Sequence, residues 1–346
     1  MPNSTHNPDL NAILKAVSRS FYLSIRVLPK MMQQPIGIAY LLARAADAIA
    51  DTAELETTTR LNHLRDFQKL LSDTDRTQLQ SIEQLVAHID HEGERELLMQ
   101  ISHIILAHRN LPLADFKAVK DVVMTLTTGM EKDLSFFTAN KEDKVQDIFA
   151  LPDDSALDEY TYLVAGCVGS FWTELSILHT PALSHWQQSK MSLMGIQFGK
   201  ALQLTNILRD IAKDAKLGRC YLPASDLAQH HLNSDMLFDP KNNKNLTPVI
   251  SKWVRQADDH FDVAEAYLLS IPRNCLRLRL ASLWPILIGL STLRLIKQKE
   301  NFLDIQCNVK VKRTWVYKML MLSIPASFSN TMLRIWIKSL KDVASQ

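Results

Sequence analysis

ALQLTNILRDIAKDAKLGRCYLP, residues 201–223, is the stretch on which the fold turns. Gln203, Asn206, Asp210 and Asp214 recur at steps of three or four, which sets them in one line along one face of a helix. Leu202, Leu204, Ile207, Leu208, Ile211 and Ala212 crowd the adjacent faces. Gly218 suits a helix C-cap and Pro223 cannot continue a helix. The stretch therefore predicts a helix with a carboxylate pair in its last turns, followed by a basic turn that carries Arg219 and Tyr221.

The same logic recurs near the N-terminus. In GIAYLLARAADAIAD, residues 37–51, the side chains of Tyr40, Arg44, Asp47 and Asp51 share a face at steps of four, three and four. Every other residue there is small or apolar. A surface helix has a broad solvated face. A single polar stripe on a greasy cylinder predicts a helix packed on most sides, its stripe turned to a cavity or its mouth.

Two acids at i and i+4 repel by about 0.2–0.5 kcal/mol in an isolated helix, and a metal cation would offset that. Spacing alone does not decide. Asp90/Glu94, Glu92/Glu96, Asp154/Asp158 and Asp258/Asp262 share it, and in their polar surroundings they read as solvated faces. Only Asp47/Asp51 and Asp210/Asp214 combine the spacing with apolar helices and an amide or Arg on the same stripe. For them a metal clamp and a chance pairing both stay open.

Composition narrows the class. The chain has 346 residues, 47% of them hydrophobic, and a formal charge of +2. That balance excludes a strongly basic nucleic-acid binder, so no nucleic-acid partner is expected. With only 9 glycines, no run of alternating β-branched residues and helical periodicity in most windows, an all-α protein is expected. Cys167, Cys220, Cys275 and Cys307 are scattered without a CxxC, which suggests neither a disulfide framework nor a zinc site and fits a reduced, cytoplasmic compartment. MPNSTHNPDL has no apolar signal region, and no run of eighteen uninterrupted apolar residues exists, so no membrane-spanning helix is expected.

Along the chain, a first helix is expected from about Asn7-Pro8-Asp9 to Pro29, its apolar pattern interrupted at Ser18-Arg19-Ser20. The Asp47/Asp51 helix follows after Pro35, and residues 85–108 read as one surface helix. Residues 139–158 are loop-like. Gly166 and Gly169 fall inside the next helix, each costing about 1 kcal/mol against Ala; either another helix or a ligand chain approaches them closely. Residues 239–248 read as a surface loop, residues 249–269 as an amphipathic helix, and the stretch after Pro272 as a core helix kinked at Pro285. The tail from Thr314 is helical with one break near Pro325. His230 and His231 have no partner at ligand spacing and read as surface loop residues. With no composition shift or low-complexity linker, residues 1–346 read as a single domain with a basic amphipathic C-terminal part, about 310–346.

SRSFYLSIRVLP (18–29), YLLARAADAIAD (40–51), DEYTYLVAGCVGS (158–170) and QLTNILRDIAKDAKLGRCYLP (203–223) together resemble the squalene/phytoene synthase family of head-to-head prenyl transferases. The resemblance covers about residues 15–300. It implies an isoprenoid-synthase-type helical bundle around a central cavity, with the two acid motifs on facing helices at its mouth. It implies condensation of two farnesyl diphosphates, with Mg²⁺ neutralising the departing diphosphate and dry apolar walls protecting the allylic cation. By motif, Asp47, Asp51, Asp210 and Asp214 match the Mg²⁺-binding acids, and Arg19 and Arg44 match phosphate-binding arginines. Tyr160 matches the tyrosine of the first half-reaction, its bland alternative being a buried, hydrogen-bonded Tyr. Gln203 and Asn206 match polar residues near the diphosphate, and Arg209, Arg219, Tyr40 and Tyr221 complete the expected substrate and cofactor contacts. Ala50 and Lys213 stand where family members often carry acids, which leaves the number of bound metals open.

Whether the intermediate, presqualene diphosphate, is then reduced divides the family. Asn308-Val309-Lys310-Val311-Lys312-Arg313 resembles the Lys-x-Arg segment that squalene synthases place near NADPH, with Lys312 in the Arg position. SLWPILIGLSTL (282–293) also looks more like squalene synthases. Clustered Lys and Arg suit the 2′-phosphate of NADPH, and Arg19, Arg44, Arg209, Lys310 and Lys312 are the cofactor candidates. Phytoene or dehydrosqualene synthase, a presqualene diphosphate synthase and a catalytically inert scaffold of the same fold are the alternatives. The C-terminal part interleaves Lys and Arg with Trp315, Tyr317, Leu320, Leu322, Phe328, Leu333, Ile335 and Trp336. That pattern suits peripheral attachment to an anionic cytoplasmic membrane face, or else a core helix with a solvated basic edge.

Overall fold

A computed structural model describes residues 10–52, 54–72, 76–139, 148–299, 301–304 and 309–342. The chain is all-α, as expected, and packs into two compact units, Met1–Thr138 and Ala139–Gln346.

The first unit is built from α1 (Leu10–Val17), α2 (Arg19–Val27), α3 (Lys30–Asp51), α4 (Thr57–Ser72), α5 (Arg76–Leu85), α6 (Glu92–Met99), α7 (Ile101–Arg109) and α8 (Leu113–Ala139). The expected first helix is two helices. They part at Ser18, whose hydroxyl bonds back to the Leu14 carbonyl, a contact that competes with the helical ladder. The acid-bearing helix α3 starts before Pro35, not after it: Pro35, Ile36 and Gly37 are buried, and burial overrides the lost backbone donor. From Met32 to Ala50 most of α3 is buried, so the greasy cylinder is real. Residues 85–108 are broken into a 3₁₀ turn, α6 and α7; His91 caps α6 by accepting from the Glu94 amide.

In the second unit, strand β1 (Phe149–Ala150) leads into α9 (Asp154–Thr161), a π-helical turn at Tyr162–Gly166, and α10 (Cys167–His179). Then come α11 (Gln188–Lys216), strand β2 (Arg219–Cys220) and α12 (Ala224–Gln229). Helices α13 (Asn243–Ser270), α14 (Leu276–Lys297), α15 (Arg313–Ala326) and α16 (Asn330–Lys341) complete it. α11 is the axis of this unit, packing most extensively on α13 and α10. A Cβ on Gly169 would lie 1.8 Å from the Gly195 carbonyl oxygen, and one on Gly199 would lie 2.3 Å from that of Ala165. The glycines of residues 166–169 therefore admit a helix, α11, and not a ligand chain. The loop expected at residues 239–248 is a 3₁₀ turn followed by the first turns of α13, which runs through Pro248.

Among the described residues two helices are long and apolar enough to cross a membrane by length and composition, Asp154–His179 and Leu276–Lys297. They pass on mean hydropathy although charged residues interrupt them, which the search for unbroken apolar runs does not see. In this fold α14 is a core helix, 67% of its most apolar window being buried, and α10 packs on α11. The described cysteines Cys167, Cys220 and Cys275 are free, as the scattered spacing suggests; Cys307 lies outside the described residues.

Candidate active site

Two half-sites emerge, one in each unit. The first is the polar stripe of α3. Tyr40, Arg44 and Asp47 are half-buried and Asp51 is exposed, while their apolar neighbours are sealed. Arg44 Nη1 lies 3.5 Å from Asp47 Oδ2, and Arg44 Nη2 donates to Glu94 Oε1 on α6. Burial works against the Arg44 charge, but Glu94 and Asp47 outweigh it and hold its pKa above the ordinary value. Burial among protein atoms pushes the Asp47 carboxyl up to about 7; Arg44 opposes this, and Asp51 adds to it. The Asp47 side chain nevertheless keeps 43% of its surface, so it is recessed rather than sealed, and water or an ion reaches it. The Tyr40 hydroxyl donates to the Val17 carbonyl at 3.3 Å, and burial raises its pKa.

Glu94 is the partner of this stripe that spacing missed. Read with Asp90 as a solvated acid, it has a side chain only 15% exposed and is bonded to Arg44. No local pattern marks it, because the contact joins helices 50 residues apart in sequence. Of the other acids of that class, Asp90, Glu92 and Glu96 are exposed, while four hold a lysine: Asp154 with Lys252, Asp158 with Lys200, the half-buried Asp258 with Lys297, and Asp262 with Lys341.

The second half-site is the stripe of α11. Gln203, Asn206, Arg209, Asp210 and Asp214 are half-buried between sealed apolar positions. Arg209 grips Asp210 with a fork, Nε to Oδ1 at 2.9 Å and Nη2 to Oδ2 at 2.5 Å. These bonds outweigh burial and raise the Arg209 pKa. Beyond α11 the chain turns at Gly218, whose φ of 76° needs a residue without a Cβ. β2 then pairs in parallel with β1, Phe149 N bonding Gly218 O at 3.1 Å and Leu151 N bonding Cys220 O at 3.0 Å. That short ladder fixes the basic turn. Asp214, Arg219 and Tyr221 line a small crevice with Ile207, Ile211 and Leu222. Tyr221 stacks on Tyr160 of α9, ring centroids 4.5 Å apart. That stacking places Tyr160 beside the basic turn that follows α11. Tyr160 lies two residues before the π-helical turn, a rare distortion frequent at functional sites. Burial pushes the Cys220 thiol up to about 12.

Both acid pairs occupy the last two turns of their helices, α3 ending at Asp51 and α11 at Lys216. The helix dipole places about half a negative charge at that end, so a carboxylate there is disfavoured by about 0.3–1 kcal/mol. The arginines of the same stripes offset this. Among the described residues no group of three or more His, Cys, Asp or Glu side chains is placed to hold a metal ion by itself. Hard oxygen donors in pairs suit Mg²⁺, which keeps waters and takes phosphate oxygens for its remaining positions.

Lys310 and Lys312 lie exposed in the irregular stretch before α15, and no side-chain hydrogen bond or ion pair among the described residues engages them or Arg313. Arg19 begins α2; its side chain, like Asn308, lies outside the described residues.

Comparison with known proteins now has a geometry to rest on. The chain is 28% identical over 263 residues to a bifunctional lycopene cyclase/phytoene synthase of Arthroderma gypseum, covering 76% of this chain and 42% of that protein. It thus spans about two-fifths of the length of that relative. It is 27% identical to a 15-cis-phytoene synthase of Enterobacter agglomerans over 82% of this chain and 81% of that one. It is 25% identical to a squalene synthase of Schizosaccharomyces pombe over 90% of this chain and 64% of that one. Its fold is similar to that of TcSQS solved with a ligand, TM-score 0.76 at 22% identity, covering 97% of this chain and 92% of that one. A dehydrosqualene synthase solved with a ligand is similar at TM-score 0.63 and 23% identity, covering 95% of each chain. The squalene/phytoene synthase profile matches residues 14–315, and with that span the chain belongs to the squalene/phytoene synthase family.

Proposed function

We propose that this chain is a prenyltransferase that joins two farnesyl diphosphates head to head through presqualene diphosphate and reduces that intermediate with NADPH to squalene. The observation that carries the transferase reading is the pair of arginine-gripped acid pairs, each in the last turns of an apolar helix where carboxylates are disfavoured unless a cation joins them. Asp47, Asp51, Asp210 and Asp214 would hold Mg²⁺, which when bound neutralises the departing diphosphate. Arg44, Arg209 and Arg219 bind phosphate oxygens, and the planar fork that Arg209 now offers to a carboxylate suits phosphate equally well. Gln203 and Asn206 orient the diphosphate from the same stripe. Tyr160, stacked on Tyr221, holds a proton beside the ionising group during the first half-reaction. An inert scaffold would gain nothing from keeping both disfavoured acid pairs.

Reduction is supported by Lys310, Lys312 and Arg313, exposed cations whose side chains have no partner among the described residues and that suit the 2′-phosphate of NADPH. The similarity to a squalene synthase over 90% of this chain supports it too. A second reading, phytoene or dehydrosqualene synthase without reduction, is favoured by the higher identity to phytoene synthases. The test is incubation of the pure protein with farnesyl diphosphate and Mg²⁺, with and without NADPH. Squalene that forms only with NADPH is expected, with presqualene diphosphate or dehydrosqualene in its absence. A product mixture indifferent to NADPH moves the chain to the second reading.

A further inference from the structure

Large apolar side chains left in water are normal when they are scattered and informative when they cluster. Among the described residues 19 large hydrophobics are exposed, and seven of them fall between Tyr317 and Ile335. They belong to the helical hairpin α15–α16, which packs on α14. Its inward face is Met319, Ser323 and Ala326 on one helix and Leu333, Ile337 and Leu340 on the other. That face satisfies the packing, so the outward face has no structural duty. Tyr317, Met321, Leu322, Phe328, Met332 and Ile335 stand there with 52–70% of their surface in solvent.

The charge around this face has one sign. No acid occurs between Asp304 and Asp342. Lys341 is answered by Asp262 of α13, and Arg334 lies near Glu265 of the same helix. Lys318 and Lys338 are exposed, with no acid bonded to them among the described residues. A second copy of the chain is a poor occupant, because a two-fold contact sets a patch against itself and would oppose these lysines to one another. Apolar and aromatic side chains beside uncompensated lysines complement a surface that is apolar inside and anionic at its rim. Helices of 14 and 12 residues are too short to span a bilayer.

We propose that the outward face of the α15–α16 hairpin docks on the surface of an anionic lipid bilayer, its apolar side chains entering the headgroup layer and Lys318 and Lys338 meeting lipid phosphates. The inference stands on this surface alone and holds whatever the product of the reaction is. The test is sedimentation of the full chain with vesicles of phosphatidylcholine alone and of phosphatidylcholine mixed with phosphatidylglycerol. One variant is Leu322→Ser with Phe328→Ser; the other is Lys318→Glu with Lys338→Glu. All four positions are exposed, so the circular-dichroism melt is unchanged. The wild type is expected to bind the mixed vesicles at least tenfold more tightly than the neutral ones. Each variant is expected to lose at least tenfold on the mixed vesicles, and high salt to weaken the wild type. Equal binding by wild type and variants overturns the proposal, as does absence of wild-type binding. A wild-type dimer that the Ser variant dissociates would assign the face to a second copy instead.

Discussion

Replacing Gly169 by Ala tests the packing that carries the second half-site. A Cβ there would sit 1.8 Å from the Gly195 carbonyl oxygen and 2.3 Å from its carbon, where real Cβ contacts essentially never fall below 3.0 Å. Both partners are backbone, so no side chain can swing aside, and α10 and α11 must separate by about 1.2 Å, the gap between those two distances. Overpacking of this kind costs about 1–3 kcal/mol. Backbone against backbone belongs at the upper end, and the better helix propensity of Ala returns about 1 kcal/mol. The net expectation is a loss of about 2 kcal/mol. At about 2–4 °C per kcal/mol for a body of this size, the melting midpoint falls by about 4–8 °C. Gly37→Ala is the control. Its Cβ would meet only Leu14 Cδ2 at 3.5 Å, an ordinary contact, so propensity wins and the midpoint holds or rises. Both substitutions are helical Gly→Ala, and they are expected to differ in sign. Thermal and urea unfolding followed at 222 nm reads the difference. A Gly169→Ala protein as stable as Gly37→Ala would refute the reading of these glycines as a helix crossing. Activity should suffer beyond stability, because α11 carries Asp210 and Asp214, and a misplacement of about 1 Å can cost about 10²-fold in rate.

Asp47→Asn and Asp210→Asn should each lower turnover by orders of magnitude and leave the melt intact, and EDTA should abolish wild-type turnover. Full activity in either variant removes that acid from the site. His108 is buried without exposed surface, stacks on Phe116 and donates Nε2–H to the Phe116 carbonyl at 3.1 Å, while its Nδ1 has no partner. Burial lowers its pKa in the folded state, so the unfolded chain binds the proton first. Its stabilising contribution is whole above the unfolded pKa of about 6.5 and is lost as pH falls from there through the folded value. The stability gap between wild type and His108→Gln in urea should therefore narrow from pH 7.5 to pH 5, and a constant gap would mean His108 does not titrate on unfolding.

What could be read from the residues was what breaks a local rule. Acids at i and i+4 repel one another, and a single polar line on an apolar cylinder departs from the broad solvated face of an ordinary surface helix, so both stripes are legible in the residues alone. What could not be read was what fills the space opposite. The sequence shows that Gly169 lacks a Cβ, yet only the crossing helix shows that α11 occupies the gap. Pro35 and Pro248 looked like boundaries because propensity is local, and burial of the surrounding helix outweighs one lost hydrogen bond. Glu94 was hidden among like acids because its meaning lies in Arg44 on another helix. That contact gives the stripes a common logic. In each half-site an arginine of the stripe is bound to carboxylate, Arg44 to Glu94 and Asp47, Arg209 to Asp210. Each arginine thereby offsets part of the repulsion between the acids of its stripe. On the proposed function, a ligand bringing both cation and phosphate would offer each carboxylate and each arginine a stronger partner at once, which neither ion alone can do.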